Sequence, residues 1–161
     1  MSDAVTPLGV ERVTVGDSHL VAVVRVSPSS SLRTDAYPAA VHAVLEALPG
    51  LRRHRCECGT PIGIERELLD TELPHLLEHV VLELMVLAGS PRTLSGRTKW
   101  DFARDGRGVF SVELEYDDDL VALGAMRDGT ELVNSAIMDG AVADVAPIAG
   151  ELSSLRATTS D

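Results

Sequence analysis

The chain has 161 residues, of which 45 % are hydrophobic, so its size and composition fit one globular domain and exclude a disordered or collagen-like chain. The net charge of −11 repels nucleic-acid phosphates, and 3 % aromatic residues are too few for a base-stacking surface. No apolar run reaches the ~20 residues of a membrane span, and the N-terminus lacks a signal-peptide pattern. We therefore expect a cytoplasmic protein that binds neither nucleic acid nor membrane.

The order of hydrophobic patterns along the chain predicts an α+β fold. Strands are predicted at 10–16, 20–26 and 109–116, the first two as a hairpin or as two sequential strands. Helices are predicted at 38–48, 71–88, 120–126 and 130–138, the second of them capped by Asp70 or Thr71. We expect a single compact domain at 1–155, in which a small, mostly antiparallel sheet packs with a central helix and further helices. Residues 156–161 are expected to form a frayed tail.

The helix predicted around residues 74–88 carries its polar side chains in one arc. On a helical wheel at ~100° per residue, a broad apolar stripe lies on the opposite side. Leu82 and Val86 share the polar arc, so this helix is predicted to be buried on all sides. Buried imidazoles and carboxylates need partners, and a metal ion would partner several at once. The polar residues are His75, Glu78, His79 and Glu83.

The spacing of these residues is typical of a zinc site. His75 and His79 are four residues apart on a helix, so both rings can approach one ion at ~2 Å. His75-x-x-Glu78-His79 matches the H-x-x-E-H pattern of the inverzincins, in which two histidines bind zinc and the glutamate is the general base. Glu83 lies ~12 Å along the axis from His75, so it is predicted to hold the His79 ring from outside.

A third zinc ligand is expected from another element. The polar face of the strand at 109–116 offers Glu115 and Glu113 as candidates. For Glu113 the simpler interpretation is a charged outer face of the strand. A second, weaker metal group is His54-x-Cys56-x-Cys58, because a C-x-C pair without a second pair favours free, reduced thiols. The whole pattern on the helix is also compatible with a hydrogen-bonded polar core that contains no metal.

Several motifs along the chain resemble the N-terminal domain of bacterial cyanophycin synthetases. They are Pro49-Gly50-Leu51, the run TELPHLLEHVVLELMVLAG, Gly96-Arg97-Thr98, and a strand that ends in Glu115-Tyr116. The resemblance covers roughly residues 20 to 138 and implies a domain that binds a growing Asp-Arg polymer. In some members it also implies a metallopeptidase-like site that trims the polymer into primers. Glu115 matches the family's glutamate by position, and Arg97 is predicted to bind a substrate carboxylate.

Two functions follow as hypotheses. The first is a zinc-dependent peptidase or amidohydrolase that acts on an Arg-rich or Asp-Arg polymer, with zinc on His75, His79 and Glu115 and with Glu78 as base. The chain has no G-x-x-x-x-G-K-[ST] loop, so we do not expect a synthetase. The alternative is a non-catalytic module that binds cyanophycin or a partner, such as a synthetase encoded elsewhere. Either function is compatible with a homo-oligomer.

Overall fold

The computed structural model describes residues 5–55 and 63–158. Within these ranges the chain forms four strands and six α-helices, which confirms the predicted α+β class. Two short 3-10 helices lie at Thr34–Ala36 and Pro49–Arg53. The strands are β1 (Leu8–Val15), β2 (His19–Val26), β3 (Gly96–Trp100) and β4 (Val109–Glu115). The helices are α1 (Pro38–Ala47), α2 (Ile64–Leu68), α3 (Leu73–Leu87), α4 (Phe102–Asp105), α5 (Asp119–Asp139) and α6 (Ala146–Thr158). None of these helices is both long and apolar enough to cross a membrane.

The four strands form one antiparallel sheet in the order β1-β2-β4-β3. β1 and β2 form the predicted hairpin, in which the Gly16 N–H donates to the His19 carbonyl at 2.8 Å. Buried side chains alternate with more exposed ones along β2 and most of β4, so one face of the sheet packs on the helices. The buried residues of that face are Leu20, Ala22, Val24, Phe110, Val112 and Leu114.

The central helix is α3, in which twelve of the fifteen residues are buried, as the sequence predicts. It packs against the sheet and against α5. Gly129 permits the close approach of α5, because a Cβ there would lie 2.9 Å from Val81 Cγ2. Pro74 falls in the first turn, where its missing N–H costs no hydrogen bond. The N-cap is Glu72, not Asp70 or Thr71, and it makes no side-chain capping bond.

Some elements differ from the sequence-based expectation. β3 occupies a segment expected to be a loop, because its sequence GRTKW has no apolar alternation. The two helices expected at 120–126 and 130–138 are one continuous helix, α5, whose Gly129 packs on α3 despite its low helix propensity. The expected frayed tail does not begin at Arg156, which donates to the Ala88 carbonyl at 3.1 Å and to the Asp117 carboxylate at 2.7 Å.

Two features protect the β1 edge of the sheet against pairing with another strand. The register shifts between Val10 and Arg12, and such a bulge turns an edge strand away from further pairing. Asn134 of α5 then covers the neighbouring backbone, since its Oδ1 accepts from the Leu8 N–H at 2.8 Å and its Nδ2 donates to the Leu8 carbonyl at 2.9 Å. The opposite edge, β3, borders the cavity described next.

Candidate metal centre

His75, Glu78 and His79 form one cluster on the first two turns of α3. Their candidate ligand atoms all lie within 4.8 Å of one another, so the group could hold a metal ion. Helix spacing explains the cluster, because residues three and four apart lie on the same face. Glu78 and His79 are only 4 % and 3 % exposed, and His75 is partly buried. The structure therefore brings together the three side chains of the H-x-x-E-H pattern.

Thr71 determines which nitrogen of His75 carries a proton. The Thr71 hydroxyl donates to Glu72 Oε2 at 3.1 Å, and the same oxygen lies 2.9 Å from His75 Nδ1. Because Glu72 takes the hydroxyl proton, Thr71 Oγ1 accepts its second hydrogen bond from the His75 Nδ1–H. The other ring nitrogen, His75 Nε2, then presents a lone pair to the interior of the cluster.

A chain of three side chains orients His79 in the same way. Glu83 Oε2 accepts from His54 Nε2 at 2.8 Å, and His54 Nδ1 lies 2.9 Å from His79 Nδ1. In the neutral form of the His54 ring, its Nδ1 accepts from the His79 Nδ1–H. Arg92 holds the far side of Glu83 with two hydrogen bonds of 2.9 and 3.1 Å. Burial alone would raise the pKa of Glu83, but the hydrogen bonds from His54 and Arg92 hold that pKa below its ordinary value. Glu83 is therefore a carboxylate.

With these tautomers, the two helix imidazoles face each other through unprotonated nitrogens. His75 Nε2 and His79 Nε2 are 3.1 Å apart, and two lone pairs at this distance repel unless a cation lies between them. A proton is disfavoured there, because burial lowers the pKa of both imidazoles, that of His79 to about 3. A tetrahedral zinc ion would separate two nitrogen ligands by about 3.3 Å, which is close to the observed spacing. The cluster could therefore hold a metal ion.

Glu78 lies beside the nitrogen pair and away from water. Its Oε2 is 3.8 Å from His79 Nε2, and its Oε1 accepts from the Thr98 hydroxyl at 2.8 Å. Burial raises the pKa of Glu78 to about 7, with a further contribution from Glu67, while the Thr98 hydrogen bond lowers it. A carboxyl group with a pKa near 7 can both accept and return a proton at neutral pH.

A cavity of about 620 Å³ opens onto the cluster. α3 forms one wall, and β3 with the preceding loop forms another. Trp100, whose side chain is 46 % exposed, lines the cavity at the end of β3. This volume falls in the ordinary range of ligand sites, so a ligand can reach the cluster.

Glu83 and His54 play different parts from those that the sequence predicts. Glu83 is expected to hold the His79 ring directly, but His54 lies between them and transmits the contact. No spacing rule could have identified His54, because it is 25 residues away from His79 in the sequence. Its proposed partners in a second metal group, Cys56 and Cys58, lie outside the described residues.

Glu115 and Arg97 are not part of the cluster. The Glu115 carboxylate accepts from the Ser95 N–H at 2.8 Å and from the Ser95 hydroxyl, so it is held at the end of β4. Arg97 borders the cavity, but it is in register with Glu113, on the face of the sheet opposite Glu78. The ligand role of Glu115 therefore gains no support from this arrangement, and the substrate contact of Arg97 stays a prediction.

The fold and the site together define a small α+β domain whose buried central helix carries a His-Glu-His cluster. The chain belongs to the cyanophycin synthase-like N-terminal domain family, whose match covers residues 21–138. Among curated proteins it is similar to the cyanophycin synthetase of Geminocystis herdmanii, with 32 % identity over 125 residues and 76 % of this chain. The enzymes of Crocosphaera subtropica and Trichormus variabilis are 33 % and 30 % identical over 64 % and 76 % of this chain. The matched part is only 12 to 14 % of the length of these relatives.

Proposed function

We propose that this domain is a zinc-dependent peptidase or amidohydrolase. His75 and His79 bind the ion through Nε2, and Glu78 is the general base. Bound zinc would lower the pKa of its water and polarise an amide carbonyl. The observation that carries the proposal is the pair of facing Nε2 atoms, 3.1 Å apart in a buried site, because a cation relieves their repulsion.

The chain's own residues have distinct parts in the proposed reaction. Glu78 accepts a proton as the water oxygen bonds to the amide carbon, and it returns the proton to the amide nitrogen as the C–N bond breaks. Its pKa of about 7 suits both transfers. Thr98 engages Oε1 of Glu78, so Oε2 is left on the side of the nitrogen pair. Thr71 and His54 orient the two imidazoles, as outer hydrogen-bond partners do in metal sites.

The proposed substrate is an Arg-rich chain, such as an Asp-Arg polymer or its fragments. The family resemblance supports this class, and the similar curated proteins are cyanophycin synthetases. The net charge of −11 supports it as well, because an acidic protein attracts cationic substrates and increases their rate of encounter. A synthetase encoded elsewhere and a second copy of this chain are the proposed protein partners.

A second candidate function is a non-catalytic module that binds the polymer or docks on a synthetase. It is favoured by the fact that each nitrogen of His75, His79 and His54 has a hydrogen-bonding neighbour without any metal. In this case a shared proton lies between the two Nε2 atoms, and the polar chain serves only to fix the packing of α3. The two functions differ in the metal that they require.

Elemental analysis of the untagged protein, purified in the presence of zinc, tests the metal. We expect about one zinc per chain, lost in His79→Ala. The matched control is His42→Ala, because His42 is an exposed histidine on α1. Wild-type protein without zinc would contradict the metal site and favour the binding module. Glu115→Gln tests the predicted third ligand in the same assay, since replacing a true ligand should lower the zinc content.

Hydrolysis is tested separately on Asp-Arg peptides and polymer by measuring newly formed amino groups. Glu78→Gln should retain zinc and lose the activity, because the amide side chain cannot accept the proton. Activity retained by this variant would contradict the role of Glu78. A wild-type protein that binds zinc but releases no amino groups would be a metal-containing binding domain.

A further inference from the structure

Half of the backbone hydrogen-bonding groups of β3 point away from the sheet. The Glu115 N–H donates to the Ser95 carbonyl at 2.9 Å, so this pair occupies a hydrogen-bonded position between β3 and β4. Such positions alternate along an antiparallel strand, so Arg97 bonds to β4 while Gly96 and Thr98 do not. The N–H and C=O groups of Gly96 and Thr98 thus face the open edge, and no residue in the described ranges bonds to them.

The same two residues contact the candidate base. The Thr98 hydroxyl donates to Glu78 Oε1 at 2.8 Å. Gly96 approaches so closely that a Cβ on it would lie 2.9 Å from Glu78 Cγ, which explains why no larger residue fits there. Both residues line the cavity together with His75 and His79. The open edge of β3 therefore runs past the cluster.

The other edge of the sheet shows that this chain can close an edge. At β1 a bulge interrupts the register, and the Asn134 side chain occupies both backbone groups of Leu8. Unprotected edge strands invite pairing with another chain, and proteins block them by such means. Neither means is present at β3 within the described residues. β3 is short and carries Lys99, which discourages indiscriminate pairing, but among the described residues nothing bonds to the backbone groups of Gly96 and Thr98, so they are open to a ligand.

We propose that β3 binds an extended polyamide main chain as a fifth strand of the sheet. This inference rests on the proposed function and specifies how the substrate is recognised. The N–H and C=O groups of Gly96 and Thr98 pair with the substrate backbone, which is the mode called β-strand addition. An added strand lies ~4.8 Å from β3, within the cavity that opens onto the cluster. One of its amides then lies beside Glu78.

Recognition through the main chain has a consequence for substrate choice. Side chains of a bound strand alternate between two faces, so every second one points away from the helix layer of the domain. Long side chains are accommodated at those positions. The bound chain is therefore selected by its extended backbone, with the cavity contacting only alternate side chains.

Amide hydrogen exchange of the full chain, followed by NMR in the presence of EDTA, tests the proposal. The probe is a peptide of about eight alternating Asp and Arg residues. The peptide should slow exchange at Gly96 and Thr98 about tenfold, because each amide gains a hydrogen bond. Arg97, which bonds to β4, and Leu8, which bonds to Asn134, are internal controls and should change less than about twofold. Peptide binding without protection of Gly96 and Thr98 would overturn the proposal, and so would absence of binding at millimolar peptide.

Peptides with one N-methylated amide each provide a second test. Addition to a strand predicts weaker binding at every second position, because only alternate amides donate to β3. Equal effects at all positions would overturn the proposal. The exchange experiment contains no zinc, so its failure leaves a zinc-dependent hydrolase intact if zinc is found by elemental analysis. If the peptide protects Gly96 and Thr98 but the protein never binds zinc, the result contradicts the zinc-dependent hydrolase and supports the β3 edge as a binding site.

Discussion

Replacing Glu78 by glutamine should stabilise the metal-free protein, and the gain should grow with pH. Burial raises the pKa of Glu78 from 4.5 to about 7 in the folded chain. A carboxyl group whose pKa is raised by folding contributes stability that is fully present below the unfolded pKa and is lost as pH rises through the folded pKa. Between these values the unfolded chain ionises first, so the folded state becomes relatively less stable.

The size of the effect follows from these two pKa values. At about 1.36 kcal/mol per pH unit, the raised pKa of Glu78 lowers the free energy of unfolding by about 3 kcal/mol at pH 8 and by about 1 kcal/mol at pH 5. The advantage of Glu78→Gln over the wild type should therefore increase by about 2 kcal/mol between these two conditions. Glutamine retains an oxygen that can accept the Thr98 hydrogen bond, so this contact is not lost in the comparison.

Urea denaturation of both EDTA-treated proteins at the two pH values measures this difference in the free energy of unfolding. Glu46→Gln is the matched control, because Glu46 is exposed on α1 and its replacement should have the same small effect at both pH values. An advantage of Glu78→Gln that does not change with pH would refute the assignment of a carboxyl group that burial keeps partly protonated near neutral pH.

Two further substitutions test contacts outside the cluster. Gly50→Ala would place a Cβ 1.9 Å from Glu83 Oε1, so the displaced carboxylate should lower zinc affinity about ten- to hundredfold in competition with a chelator. Gly150→Ala is the control and should not lower zinc affinity, because a Cβ at Gly150 meets nothing within 4 Å. Equal zinc affinities of the two variants would contradict a link between Glu83 and the metal. Asn134→Ala leaves the backbone groups of Leu8 unpaired and should cost about 1–3 kcal/mol of unfolding free energy in urea. An unchanged free energy of unfolding would show that the Asn134 hydrogen bonds do not stabilise the β1 edge of the sheet.

The cluster was predictable from the sequence because it is local. His75, Glu78 and His79 lie within two turns of one helix, and helix periodicity alone places them on a shared face. Burial of α3 was predictable for the same reason, since apolar residues surround its polar arc. The β4 strand also follows from local alternation of apolar residues, and β2 follows from its run of β-branched residues.

The rest of the site depends on contacts between distant segments. His54 reaches His79 across 25 residues, and nothing in its surrounding sequence marks this contact. β3 has a charged, short sequence, and it becomes a strand because β4 supplies its hydrogen bonds. Its open edge can be recognised only once the strand order is known. Tertiary structure, rather than local propensity, determines these features.

The residues that orient His79 come together only in the folded protein. They are His54, Glu83 and Arg92, which are linked to His79 by a chain of hydrogen bonds. His54 follows a 3-10 helix, Glu83 belongs to the middle of α3, and Arg92 comes from the loop before β3. An isolated α3 peptide would have the two ring nitrogens without the groups that orient them. Any ion held there binds the folded chain selectively, and free ion at a hundred times its Kd would add about 2.7 kcal/mol to the free energy of unfolding. The melting temperature of the domain should therefore follow the concentration of free zinc.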